Sequence, residues 1–304
     1  MYSLKKCVIS FVVIAFLAIV PFLTDRTDLI TYFTFTLLYI TLSQSWNLIG
    51  GYTGQQNLGH AAFFGIGGLI ARHVWLWGLP LPLALLAGAL GSVIFALIIG
   101  FPAFRLKGIY FIISTLVLAE ILQILFYTVL PLASILPSKM IGAYNLTPRY
   151  YLSLVIAVIT VAVVYWVSKS KLGLGMMSIR EDEDAAEATG VDTLKYKLTA
   201  FLISTFLAGL AGGVFAYYST AVQAGYMFSA LWTFDAVIIV FVGGVGTIMG
   251  PIIGAIFFVL LKQILSLYLP GGSHVMVFGI LFIIVVLYLP GGLVGLVGKL
   301  RKTS

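Results

Sequence analysis

Apolar residues in this chain come in long unbroken runs separated by short polar breaks, with little alternation inside a run. Ten such runs can be drawn: Val8–Leu23, Leu29–Ile49, Leu58–Trp77, Leu81–Phe101, Ile109–Leu130, Tyr150–Val167, Leu198–Tyr218, Phe234–Met249, Ile252–Leu269 and Val275–Leu289. About 20 apolar residues carry a helix across a bilayer. In hydrocarbon every backbone donor and acceptor has to be satisfied within the protein, which leaves helix bundles and closed barrels. A barrel needs short segments of alternating polarity, whereas Val8–Val20 and Phe278–Leu289 are continuously apolar. The pattern predicts an all-α polytopic transmembrane helix bundle, a single membrane domain over residues 1–304 with no separate soluble unit. The third and eighth runs are the weakest, because one contains Arg72 and His73 and the other is short and glycine-rich. If both are re-entrant or broken, eight spans remain instead of ten.

Composition agrees. The 304 residues are 61% hydrophobic and 9% charged, against about 25% charged in a soluble domain. Charge then orients the bundle. With both termini in the cytoplasm, the inner side carries Lys5, Lys6, Arg105, Lys107, Lys169, Lys171, Arg180, Lys195, Lys197, Lys299, Arg301 and Lys302, and the outer side carries Arg26, Arg72, Lys139, Arg149 and Lys262. That twelve-to-five bias obeys the positive-inside rule. The net charge of +7 is scattered through loops, which argues against a nucleic-acid partner. Lys5 and Lys6 before the first run resemble a signal peptide, but no small-residue cleavage site follows, so a retained first span is expected. The single cysteine, Cys7, cannot form an internal disulfide.

Glycines cluster at Gly65, Gly67 and Gly68, at Gly209, Gly212 and Gly213, and from Gly243 to Gly254. Small residues at such spacing let helix backbones approach closely. The last cluster, with Pro251, predicts a broken or sharply turned segment of the kind that lines a cavity.

The longest polar stretch is residues 168–197, which holds Glu181, Asp182, Glu183, Asp184 and Glu187. Ser178 followed by Glu181 forms a capping-box pattern, the early carboxylates suit the positive end of a helix dipole, and Gly190 supplies a stop. Such a helix is too short to stand alone and has to pack on something. Ala185, Ala186 and Ala188 give it a small surface flanked by charge, suited to a groove on a partner. A solvated loop is the plainer alternative.

Asp184-Ala185-Ala186 with Gly190 resembles the Glu-Ala-Ala-x-x-x-Gly loop of ABC-importer permeases, with Asp in place of Glu and without the Ile-x-Leu-Pro tail. The string from Ser178 to Gly190, continuing to Gly212, is similar to the branched-chain amino-acid permease family of the LivM and LivH type. So are Trp46–Gly65, Arg105–Phe111 and Gly243–Thr247 with Gly250-Pro251. The resemblance covers roughly residues 30–130 and 165–260. It implies a permease subunit in which Arg180, Glu181, Asp184, Ala185, Ala186, Glu187 and Gly190 engage a separate ATPase. It also implies a second related permease subunit, an external solute-binding protein and a small polar solute. The family's glycine-rich outer loop has no counterpart in Pro131–Pro148.

Polar groups inside spans are costly and mark function by default. Gln55, Gln56, Asn57 and His60 enter the third run together and are candidates for the solute path; capping a re-entrant helix is the alternative. Glu120, with Gln123 at i+3, is a candidate for the path or for a bundle-stabilising hydrogen bond, and Asp235 for an interfacial structural role. Arg105 and Lys107 either anchor the fourth span or touch the acidic loop. His73 and His274 lack ligand-like neighbours, so no metal is expected. The chain has no Gly-x-x-x-x-Gly-Lys phosphate loop. ATP is expected on a partner, with no cofactor here and no catalysis. A proton- or sodium-driven transporter using Glu120 or Asp235 and a membrane-embedded enzyme are the competing classes.

Overall fold

A computed structural model describes residues 2–24, 26–129, 134–268, 274–288 and 291–296. The side chains of residues 2–11, 274, 275 and 286 lie outside that description. In chain order the elements are α1 (Tyr2–Leu23), α2 (Thr27–Trp46), a π-helical turn (Asn47–Tyr52), α3 (His60–Leu76), α4 (Leu81–Ala103), α5 (Ile109–Val129), β1 (Ser134–Ile135), α6 (Ser138–Gly142) and α7 (Leu146–Lys169). They continue with α8 (Lys171–Glu181), α9 (Glu183–Ala188), α10 (Thr193–Tyr218), β2 (Ala221–Val222), α11 (Ala224–Met227), α12 (Leu231–Gly243), α13 (Met249–Tyr268) and α14 (His274–Tyr288).

Each of the ten apolar runs therefore coincides with a helix. Among the described residues, six stretches are long and apolar enough to cross a membrane: α4, α5, α7, α10, α13 and the Ala224–Gly243 stretch that holds α11 and α12. The central elements are the ones with polar content. From Leu37 to Trp46 α2 is buried on every side, as is α3 from His60 to Leu69, and α10 is the most enclosed of the spans. α10 packs most extensively on α3 and α4. Small residues make this possible: a Cβ on Gly212 would collide with the Phe64 carbonyl, and one on Gly67 with the backbone of Gly209. Ser92 of α4 completes the contact by donating to the Phe63 carbonyl at 2.8 Å.

The expected break in the eighth run is present. α12 stops at Gly243, the chain turns through Gly244 (φ 136°) and Gly246 (φ 71°), and α13 begins at Met249. Both torsions lie where side-chain-bearing residues are strained.

The two ends of the bundle differ. One carries α8, α9 and the start of α10. The other carries the end of α10, about 39 Å away for 26 helical residues, and the β1–β2 pair, in which Ser134 faces Val222. Three of the charges assigned above to the outer side lie within long helices, the buried Arg149 of α7 among them. Arg72 is 1% exposed at the end of α3, and Lys262 sits inside α13. Their positions reflect bonding partners elsewhere in the bundle. Lys299, Arg301 and Lys302, and residues 131–133 of the Pro131–Pro148 loop, lie outside the described residues.

Candidate functional site: the α8–α9 elbow and the polar seam beneath it

The acidic loop folds as two helices meeting at Asp182. Met176 and Ile179, three apart, are both buried, which draws the segment before Asp182 into helix. Ser178 consequently lies within α8, its hydroxyl donating to the Gly175 carbonyl at 2.9 Å, and Glu181 is the last residue of that helix. The capping-box expectation at Ser178 and Glu181 is thus corrected. The cap is Asp182, extended at φ −158°, whose carboxylate accepts from the Ala185 N–H at 2.9 Å. Glu183 and Asp184 occupy the first turn of α9, where the dipole favours them.

Gly190 ends α9 as expected. At φ 88° its N–H donates to Glu187 O (2.9 Å) and the Val191 N–H to Ala186 O (3.1 Å), the paired bonds of a Schellman stop. The three alanines divide. Ala186 turns inward at 4% exposure, while Ala185 and Ala188 stay on the outer face with Asp184 and Glu187.

Three ties hold this elbow. Glu183 pairs with Lys197, whose side chain is almost wholly buried at the start of α10. Asp184 meets Lys107, from the turn between α4 and α5, at 3.4 Å with both groups exposed. The hydrogen bond that Lys107 donates to Asp184 holds its ammonium above the usual lysine range. Lys107 therefore touches the acidic helix, whereas Arg105 remains exposed. The third tie is Arg180, whose Nη1 donates to Gly51 O at 2.7 Å inside the π-helical turn. A Cβ on Gly246 would strike that nitrogen, and one on Gly54 would lie 3.3 Å from the Arg180 Cα. The arginine fills a slot between two breaks in the bundle.

The breaks are also stitched to each other. Asn47 donates to Thr247 O (2.9 Å) and accepts from the Gly246 N–H (2.9 Å), and Gln44 donates to Ile248 O (2.6 Å). Between the π turn and α3, Trp46 Nε1 donates to Asn57 O (2.8 Å), and the Asn57 carboxamide accepts from the Gly59 N–H (2.8 Å). His60 Nε2 lies 2.8 Å from Ser45 Oγ, which itself sits 2.7 Å from Leu42 O. With the serine hydrogen given to that carbonyl, His60 Nε2 is the donor of the pair. His60 Nδ1, Asn57 Nδ2 and Gln44 Oε1 make no hydrogen bond among the described residues.

The path candidates thus separate. Asn57 and His60 are fully enclosed, Gln55 is half-buried and Gln56 is exposed beside the elbow. Glu120 is exposed on α5 and forms no ion pair among the described residues, and Gln123 turns away from it to donate to Gly225 O at 2.9 Å. Two clusters have partners that sequence reasoning does not name: Arg72, and Asp235, for which an interfacial structural role is expected. Arg72 makes five bonds, to Ala216 O, Ser219 O, Thr220 O and both Ser134 oxygens. Asp235 pairs with Lys262 at 3.1 Å and accepts from the Tyr39 hydroxyl at 2.8 Å. The presence of ionisable residues inside apolar runs was the available signal.

Known proteins resemble this chain over most of its length. The family model described as "Branched-chain amino acid transport system / permease component" matches residues 29–286. The high-affinity branched-chain amino acid transport system permease protein LivM of Salmonella typhimurium is 28% identical, covering 84% of this chain and 69% of the relative. Its Escherichia coli counterpart has the same identity and coverage. The probable LivM of Methanocaldococcus jannaschii is 25% identical, covering 84% of this chain and 90% of the relative. No solved structure matches. Six membrane-length helices together with the LivM likeness make this a multi-pass inner-membrane protein. The chain belongs to the family of permease components of branched-chain amino acid transport systems.

Proposed function

We propose that this chain is the membrane-spanning subunit of an ABC importer, translocating branched-chain amino acids or similar small polar solutes. A separate ATPase drives it by gripping α9. A solute-binding protein delivers from outside and a second, related permease subunit completes the path. The observation that carries this reading is the Arg180 bond to Gly51, which links the exposed acidic helix directly to two helix breaks. A push on α9 reaches the π turn and the Gly244–Ile248 turn without crossing a flexible linker. Buried groups that find no hydrogen-bond partner among the described residues, His60 Nδ1 and Asn57 Nδ2, cost about 1–3 kcal/mol each. That cost favours a bundle with a second arrangement of similar energy, as alternating access requires.

Glu120 supports the placement of the path. A carboxylate facing lipid at a span centre costs about 2.5–3.5 kcal/mol, so its exposed α5 face is expected to meet the second permease and the solute. Ala185→Trp tests the ATPase contact, because Ala185 is exposed and its replacement leaves the buried Ala186 in place. The variant should insert normally and lose ATP-driven leucine uptake in vesicles holding the full set of subunits. Unchanged uptake would defeat the assignment of α9, and uptake by the wild-type chain with no ATPase present would defeat the importer reading itself.

A further inference from the structure

Away from the elbow, residues of α2, α11, α12, α13 and α14 line an open-sided cavity of about 320 Å³. Its walls are apolar and aromatic, with Trp232 and Phe278 among them, except where Asp235 and Lys262 meet. Tyr39 donates to Asp235 at 2.8 Å, and Lys262 donates both to Asp235 and to the Tyr39 oxygen at 3.1 Å. The ammonium also lies 5.5 Å from the Tyr39 ring centroid and 5.3 Å from that of Phe258. One cation and one anion therefore sit together at the edge of a greasy hollow.

We infer that this cavity binds a small zwitterion with an apolar side chain, an α-amino acid of the leucine type, through the Asp235–Lys262 pair. The inference rests on the permease reading and names its solute site. A carboxylate offers about four acceptor positions and an ammonium three donors. The solute ammonium joins Asp235, the solute carboxylate joins Lys262, and one ion pair becomes two without any net charge entering the membrane. The side chain then lies along Phe278 and Trp232. The volume is at the small end of ligand pockets, about 300–1,000 Å³, which suits one small molecule.

Depth separates this solute from a lipid headgroup. Asp235 lies one turn inside α12, with residues 224–230 of the same apolar stretch between it and the Ala224 end, and about 12 Å from the Gly243 end at 1.5 Å per residue. Headgroups occupy the interface, whereas solute sites in transporters lie near the midplane.

Equilibrium binding of radiolabelled L-leucine to the assembled permease in nanodiscs, without solute-binding protein, tests the site. The wild type should bind saturably. 4-Methylpentanoate, which lacks the ammonium, and isoamylamine, which lacks the carboxylate, should not compete. Asp235→Asn and Lys262→Met should each weaken binding by about fivefold or more, the loss expected when one partner of a partly exposed charge pair is removed. Gly279→Leu guards against misfolding, because a Cβ there meets nothing within 4 Å and the ion pair is left intact. It should fill the cavity and abolish binding. Wild-type affinity in Gly279→Leu and Asp235→Asn, with ATP-driven uptake preserved, would overturn the site and leave the permease reading standing. Displacement of leucine by phosphatidylethanolamine would also overturn it. Absence of ATP-driven uptake by the wild-type assembly would sink both.

Discussion

Replacing Arg180 with alanine removes the one guanidinium that reaches from α8 into the π-helical turn. A hydrogen bond from a charged donor contributes about 1.5–3 kcal/mol, and the exposure of Arg180 places its bond at the low end. If the bond exists in only one of the two transport states, its loss shifts their balance by about 1.5 kcal/mol, roughly a factor of ten. The assay is simultaneous measurement of leucine uptake and ATP hydrolysis in vesicles containing the whole importer. Arg180→Ala should lower uptake per ATP about tenfold, since the outer face of α9 and its ties to Lys197 and Lys107 survive while the tie to the π-helical turn is lost. Gly246→Ala drives a Cβ into the same guanidinium at a φ of 71° and should behave alike. Because both changes break one contact, the double variant should be no worse than the poorer single one. Unaltered uptake per ATP in Arg180→Ala, or strictly additive losses in the pair, would refute transmission through this residue.

The remaining predictions concern the fold. Arg72→Met leaves four carbonyls without their shared donor. It should cost about 3–5 kcal/mol, seen as a clearly lower melting temperature in detergent; an unshifted melt would contradict the burial argument. Gly212→Val should prevent accumulation of monodisperse protein, because its Cβ collides with the Phe64 backbone. A normal yield would show that α3 and α10 can move apart.

What could be read from the sequence was local. Apolar runs, the Gly243–Met249 break and the Gly190 stop each depend on residues within a few positions of one another, and composition alone announces them. The failures were tertiary. Ser178 and Asp182 are both competent caps, and burial of Met176 and Ile179 decided between them. Asn57 and His60 are polar enough to line a path, yet they are held by the Trp46 indole and the Ser45 hydroxyl from the preceding helix, and the next residue, Ala61, bonds to the distant Thr233 hydroxyl. Lys262 was counted among the outer-side charges with no partner named, because Asp235 lies across a helix break. The same distance in sequence hid the acceptors of Arg72, most of them contributed by residues 216–220.

Arg72 and Arg149 fasten the far end of α10: the first bonds to Ala216 and Ser219, and the second donates to Tyr217 O at 3.0 Å while lying 3.8 Å from the Tyr144 ring centroid. The opposite tip of this rod is held instead by the Lys197–Glu183 pair, so the two mouths are fastened by different means. A tilt of about 3° about the arginine end would sweep the other tip of a 39 Å helix through about 2 Å. Alternating access by such a tilt would have to stretch the Lys197–Glu183 pair while leaving the riveted end in place.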